Sequence, residues 1–270
     1  MPLVRIDNPG DARLEVYRNL KQTNETVRRG LFIAEGDKLV RRLLAGPLGV
    51  ESILLSEPYV ADFQDAAPPD VPTFVVREEW IEGLVGFNFH RGILACGRRP
   101  RPAPSPADLF ASDAATGNVR KPCTIVVCPD VQDPENLGAI IRLAAGFGVV
   151  GIVLGPRSAD PFSRRVQRVS MGNVYRMPIV PTRDIVAVLG ELRERFGVVS
   201  WATVLDDAAA PLGTIERPPR LALVFGSEGH GLARDVVAAC DRKVTIPMQS
   251  GVDSLNVAVA AGIFLHELLR

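Results

Sequence analysis

The sequence carries no net charge of either sign, since its 31 lysines and arginines balance 31 aspartates and glutamates across 270 residues. No whole-molecule field draws it toward nucleic acid, so any such binding has to come from local basic patches. Cysteine and histidine are scarce. The four cysteines, Cys96, Cys123, Cys128 and Cys240, form no C-x-x-C pair, and with three scattered histidines they make no zinc pattern. No metal site is expected, and the thiols read as buried and reduced. The N-terminus lacks the apolar core of a secretory signal, and the most apolar stretch, residues 137–154, is broken by Arg142 and several glycines. A cytoplasmic protein is the expectation. There is no G-x-x-x-x-G-K-[ST] loop to cradle a triphosphate. The one G-x-G-x-x-G match, Gly146 to Gly151, leaves a helix and enters a strand, the reverse of what a dinucleotide site needs, so Gly146 or Gly148 reads as a helix C-cap.

What is present is an ordinary globular composition, 47% hydrophobic and 23% charged, on a chain long enough for two domains. Residues 1–98 read as a small α/β unit. A charged, helix-compatible stretch at 11–28 precedes a strand at 31–34. Over 38–44, Leu39, Val40, Leu43 and Leu44 fall on one helical face, with Lys38, Arg41 and Arg42 on the other. Strands follow at 52–55, 73–76 and 92–95, with a helix at 78–84. Residues 99–121 are rich in proline, arginine, serine and alanine, the composition of a semi-extended linker. From 122 to 270 apolar strands alternate with helices: strands at 124–128, 151–154, 177–180, 198–202, 221–225 and 243–246, helices at 137–147, 163–171, 185–196, 233–239 and the C-terminus. That alternation argues a parallel sheet covered on both faces.

Ligands of such sheets sit at the carboxyl ends of the strands. Three polar loops fall there, at 129–137, 226–232 and 247–255. In the first, Asn136 at a helix entrance and Arg142 six residues on could offer a phosphate the helix N–H groups and a guanidinium fork. Asn136 could equally be a cap, and Arg142 could pair with an acid. The second has Gly226, Gly229 and Gly231 close together, so the backbone turns tightly or lets something approach. Glu228 is its only carboxylate, and His230 reads as a surface histidine, with no partner spaced for a hydrolytic triad. The third joins a strand carrying Val244, Ile246 and Met248 to an apolar helix that Asp253 or Ser254 could cap, which suits a small polar molecule with an apolar face.

Asn136-x-Gly138-x-x-x-Arg142, then Phe225-Gly226-x-Glu228-x-x-Gly231, then Ile246-Pro247-Met248 with Ser254-Leu255-Asn256-Val257, resemble the three motifs of the SpoU/TrmH RNA 2′-O-ribose methyltransferases of the SPOUT superfamily. They occur in the family's order and cover most of residues 124–270. The N-terminal unit resembles, more loosely, the family's RNA-binding substrate domain. One departure is Ala258, where a serine often follows Asn-Val.

The resemblance implies an α/β fold with a deep trefoil knot, a homodimer, and S-adenosyl-L-methionine as cofactor. It implies that Gly226, Ile246 and Leu255 line the cofactor site and that Asn136, Arg142, Glu228, Ser254 and Asn256 form the catalytic set. The implied reaction moves a methyl group to a ribose 2′-hydroxyl, in ribosomal RNA by preference over transfer RNA because an RNA-binding domain is attached. A non-catalytic RNA-binding or ribosome-assembly protein on the same fold is the alternative. The family's proposed base is the arginine, but a guanidinium is effectively always protonated, so Arg142 is expected at least as a phosphate clamp. For holding RNA the candidates are Arg28, Arg29, Lys38 and Arg41 in the first domain, and Arg164 and Arg168, which share a helical face expected beside the catalytic loops.

Overall fold

The protein is described by a computed structural model, which covers residues 3–20, 25–63, 66, 68–86, 92–110, 122–227, 229–249 and 254–269. The chain divides into two compact units. Unit 1 comprises residues 1–101 with 162–176, and unit 2 comprises 102–161 with 177–270.

Unit 1 is built on a five-stranded mixed sheet. Its strands are β1 (Leu3–Arg5), β2 (Leu31–Glu35), β3 (Val50–Ser56), β4 (Thr73–Val76) and β5 (Ile93–Arg98), in the order β1-β4-β3-β5-β2. β4 runs parallel to β1 and β3, and β5 runs antiparallel to β3 and β2. Helix α1 (Glu25–Arg28) leads into β2, and α2 (Asp37–Leu44) follows it. As the apolar spacing predicts, α2 buries Leu39, Val40 and Leu43 and leaves Lys38, Arg41 and Arg42 outside, while Leu44 at its end is only half-buried. Short α3 (Val60–Phe63) and α4 (Glu78–Val85) complete the connections. The stretch 11–28 is not one helix. It holds a 3-10 helix over Ala12–Tyr17 before α1, and residues 21–24 lie outside the described part.

Unit 2 is a seven-stranded sheet in which every pairing is parallel. Its strands are β6 (Cys123–Cys128), β7 (Gly151–Leu154), β8 (Ile179–Pro181), β9 (Val199–Thr203), β10 (Ala210–Pro211), β11 (Arg220–Val224) and β12 (Arg242–Thr245), in the order β10-β12-β9-β11-β6-β7-β8. The chain builds outward from β6 through β7 to β8, then crosses to the other side for β9, and β11 closes the gap. Helices α5 (Pro134–Gly146), α7 (Ile185–Phe196), α8 (Arg234–Ala239) and α9 (Val257–Leu269) cover it. α7 has the predicted bounds because both ends are signalled: the Asp184 carboxylate accepts from Ala187 N at 2.9 Å, and Gly197 takes the left-handed conformation that ends the helix. Ile185, Leu189 and Leu192 of α7 pack with Val236 of α8 on Ile125, Val127 and Val224. Phe225, just past β11, meets Phe264 of α9 edge-on at 5.8 Å, tying the other helix layer to the sheet. Burial pushes the Cys128 thiol up to about 12, so it stays a protonated core group.

The structure divides the chain differently from the sequence-based boundaries of 1–98, 99–121 and 122–270. Within the proline-rich stretch, Pro106–Phe110 is a 3-10 helix whose Leu109 and Phe110 are buried in the unit 2 core, while residues 111–121 lie outside the described part. Helix α6 (Arg164–Val169), which the chain forms between β7 and β8, groups with unit 1 and not with the catalytic loops. Phe162 and Tyr175 stack on Phe32 of β2 at 4.8 and 5.7 Å. Gln167 is almost fully buried there: its Nε2 donates to Ile33 O at 3.0 Å and Phe162 O at 2.6 Å, and its Oε1 accepts from the Tyr175 hydroxyl at 2.7 Å. Every polar atom of this buried amide is matched, which an apolar setting requires.

Candidate active site

Helix α5 opens the first predicted loop three residues earlier than expected, because Asp133 caps it and Pro134 starts it. The Asp133 carboxylate accepts from Glu135 N at 2.7 Å, and proline at the first helical position loses no hydrogen bond. Asn136 is therefore not the cap. It sits in the first turn, buried, and its Oδ1 accepts from Asn256 Nδ2 at 2.9 Å. Asn256 in turn caps α9, its Oδ1 accepting from Ala258 N at 2.9 Å and Val259 N at 3.3 Å. The expected cap at Asp253 or Ser254 is thus displaced by Asn256, and Asp253 itself is outside the described residues.

α5 and α9 run side by side in the same direction. Asn136 meets Asn256 at their starts, Leu143 lies against Gly262 midway, and the Phe147 ring meets His266 edge-on near their ends. Two helix N-termini therefore converge at the carboxyl end of the sheet, where their dipoles favour negative charge. Arg142 is exposed on α5, about 9 Å beyond Asn136 along the axis and about a third of a turn round from it.

Beside this pair lies a cavity of about 490 Å³. It is enclosed by Thr203 to Leu205 after β9, by residues 225–227 and 229–232 after β11, by Ile246, Met248, Ser254 and Leu255, and by Val257, Ala260 and Phe264 of α9. Phe225, Phe264 and Val257 are buried and make an apolar floor, while Ser227, His230 and Ser254 bring polar groups to the wall. A Cβ on Gly226 would come within 2.3 Å of the Gly231 backbone, so only glycine lets this loop fold back on itself. Ser227 and Gly231 close it with two backbone bonds of 3.1 and 3.0 Å.

The structure thus brings Gly226, Ile246, Leu255 and Ser254 round one cavity and joins Asn136 to Asn256 beside it. Arg142 is outside the cavity wall, and Glu228 lies outside the described residues. Among the described residues no group of three potential metal ligands occurs, and no helix is long and apolar enough to cross a membrane. Arg28, Arg29 and Lys38 are exposed in unit 1. Arg41 bonds Asp37 at 2.6 Å and the Asp62 carbonyl at 2.9 Å. Arg164 and Arg168 belong to α6, within unit 1, and neither lines the cavity. Arg164 is half-buried against Glu35 at 3.4 Å; burial holds it below the usual guanidinium range against the pull of Glu35, and neighbouring Arg168 adds to that lowering. The Arg168 Nε is buried without a hydrogen-bond partner among the described residues. Sequence reasoning overlooked the Thr203 to Leu205 wall and the place of His230 in it. The strand-end rule, applied to β9 as well, points to the first.

The SpoU rRNA methylase family matches residues 123–266, more than half of the chain. The chain belongs to that family. Beyond the SpoU region, it is similar over 97% of its length to an uncharacterised tRNA/rRNA methyltransferase of Mycobacterium tuberculosis, at 34% identity and covering 90% of that protein. It is 30% identical over 80% of its length to the 23S rRNA (guanosine-2′-O-)-methyltransferase RlmB of Acinetobacter baylyi, of which 81% is covered. Among solved structures, the AdoMet-bound rRNA methyltransferase of Sinorhizobium meliloti superposes with a TM-score of 0.78 at 26% identity, covering 98% of this chain and 97% of that one. The SpoU match spans all the strands of unit 2, the whole of α5 and α9 as far as His266.

Proposed function

We propose that the protein transfers a methyl group from S-adenosylmethionine to a ribose 2′-hydroxyl of ribosomal RNA. The observation that carries this reading is the cavity in which residues from three separate strand ends and the start of α9 meet. Its volume lies in the range of small-molecule sites, its floor is apolar enough for an adenine, and the glycine-rich rim lets a ligand approach backbone groups. Gly226, Ile246 and Leu255 would hold the cofactor.

Bound S-adenosylmethionine supplies an electrophilic methyl group on a sulfonium, so the chain's own residues have to position a hydroxyl and stabilise charge. Asn136 and Asn256 fix one another and set the geometry of two helix starts, whose positive ends favour the developing alkoxide. Arg142, exposed on α5, clamps an RNA phosphate, and the proton of the 2′-hydroxyl leaves to solvent as the methyl group passes from sulfur to oxygen. Glu228 and Ser254 complete the proposed set. RNA reaches unit 1 through Arg28, Arg29, Lys38, Arg41 and Arg168, with Arg164 giving part of its charge to Glu35. The exposed Val259 and Ile263, one helical turn apart on α9, suit a second copy of the chain, so the working form is read as a homodimer. The reading includes a cytoplasmic location, the trefoil knot in unit 2, and residues 1–98 as the RNA-binding part.

The test is a methyl-transfer assay on ribosomal RNA together with thermal denaturation in S-adenosylhomocysteine. The ligand should stabilise the wild type by about 2.7 kcal/mol at a hundredfold excess over its dissociation constant. Arg142→Ala should lose at least about a hundredfold in transfer, the scale for one transition-state donor, and keep that stabilisation. No stabilisation of the wild type would remove the cofactor assignment. Near-normal turnover in Arg142→Ala would remove the role given to the arginine.

A further inference from the structure

His230 reads from the sequence as a surface histidine, yet it stands in the wall of the cavity. Among the described residues lining that cavity it is the only one with a titratable side chain. Its position is fixed by the fold of the loop. Gly226 packs against the Gly231 and Leu232 backbone, and Ser227 and Gly231 exchange both of their backbone bonds, so Gly229 and His230 form the tip of a closed turn. His230 is exposed there, whereas Phe225, Val257 and Phe264 at the floor are buried.

The cofactor of the proposed reaction has two unlike ends, a flat adenine and a zwitterionic amino acid. Placing the zwitterion on the buried phenylalanines would strip a carboxylate and an ammonium of water with nothing to replace it, which costs far more than placing adenine there. The adenine therefore goes to the floor and the amino-acid end to the rim. Among the described residues of the lining, the polar side chains besides Thr203, whose hydroxyl donates to Val224 O, are Ser227, His230 and Ser254, and only an imidazole can present an N–H donor on a ring long enough to reach outward from the turn. We propose that His230 is a cofactor-binding residue whose imidazole N–H donates to the carboxylate of the methionyl end of S-adenosylmethionine. It contacts the end of the molecule that takes no part in bond making, and so sets affinity for the whole cofactor over shorter nucleosides.

This rests on the cofactor reading given above, and the experiment separates the two. Calorimetric titration of the wild type and His230→Ala is made with S-adenosylhomocysteine, which keeps the amino-acid end, and with 5′-methylthioadenosine, which lacks it. His230→Ala should bind S-adenosylhomocysteine at least about tenfold more weakly, the scale of a hydrogen bond to a charged group, and bind 5′-methylthioadenosine unchanged. His230→Gln, which keeps an N–H donor, should recover part of the loss. Equal weakening for both nucleosides would make His230 a loop-shaping residue and overturn the inference, as would no weakening for either. A wild type that binds neither would overturn the cofactor reading itself, and this inference with it.

Discussion

Gln167 in unit 1 and Asn256 in unit 2 are amides with the same number of side-chain hydrogen bonds among the described residues, three each. Gln167 joins Ile33, Phe162 and Tyr175, and Asn256 joins Asn136, Ala258 and Val259. They differ in access: Gln167 is 1% exposed and sealed under aromatic rings, whereas Asn256 is exposed at the mouth of two helices. Hydrogen-bond satisfaction therefore does not separate a structural amide from one placed for chemistry. Solvent access does, because only the open one can exchange a water for a substrate group.

Substitution should widen this contrast. Gln167→Leu leaves the Tyr175 hydroxyl and the Ile33 carbonyl without their partner in a closed interior, and should lower stability in urea by about 1–3 kcal/mol for each group stranded. S-adenosylhomocysteine affinity of the folded protein should not change. Equal stability to wild type would show that the segment 162–176 is held by its rings alone. Asn256→Ala should cost about 1 kcal/mol as a lost cap, while methyl transfer falls by much more than that stability change accounts for. Parallel losses in the two measurements would make Asn256 a structural residue like Gln167.

The smallest effect is expected at the opposite end of the strands. Asp241 is partly buried, which by itself would raise its carboxyl, but the Ser200 backbone N–H and hydroxyl, with Arg193 beyond, hold it below the usual carboxylate range. A lowered folded-state value contributes stability that is present above the unfolded value near pH 4 and disappears as pH falls through the folded one. Asp241→Asn should remove that acid-side slope and shift stability at neutral pH by less than about 1 kcal/mol. Urea melts from pH 2 to 7 check it, and an unchanged slope would assign acid sensitivity elsewhere.

Much of this was legible from residue order, for local reasons. The strand at 151–154 and the helix at 185–196 have the bounds their patterns predict, since a continuous apolar run and a capped amphipathic stretch signal themselves. Helix starts were read less well. Pro134 and Asp133 mark α5 earlier than the apolar period does, and Asn256 caps α9 in place of nearer-seeming candidates. The short edge strands β1 and β10 carry too little pattern to see. The home of α6 could not be read at all. Its arginines look like those of α2, and its place rests on Phe32, Ile33 and Glu35, more than a hundred positions away.

That long return has a consequence for how the chain acquires its shape on the ribosome. The amide of Gln167 reaches the Ile33 carbonyl across 134 positions, so the N-terminal sheet waits for its last buried layer until residues 162–176 emerge. By then β6 and β7 are already made but β8 is not, and the half-built catalytic sheet must hold an open edge while the segment docks. Contacts of such separation form slowly because loop closure comes before any gain. A nascent chain paused before residue 162 thus leaves the face of Phe32 uncovered, a hydrophobic surface that chaperones recognise.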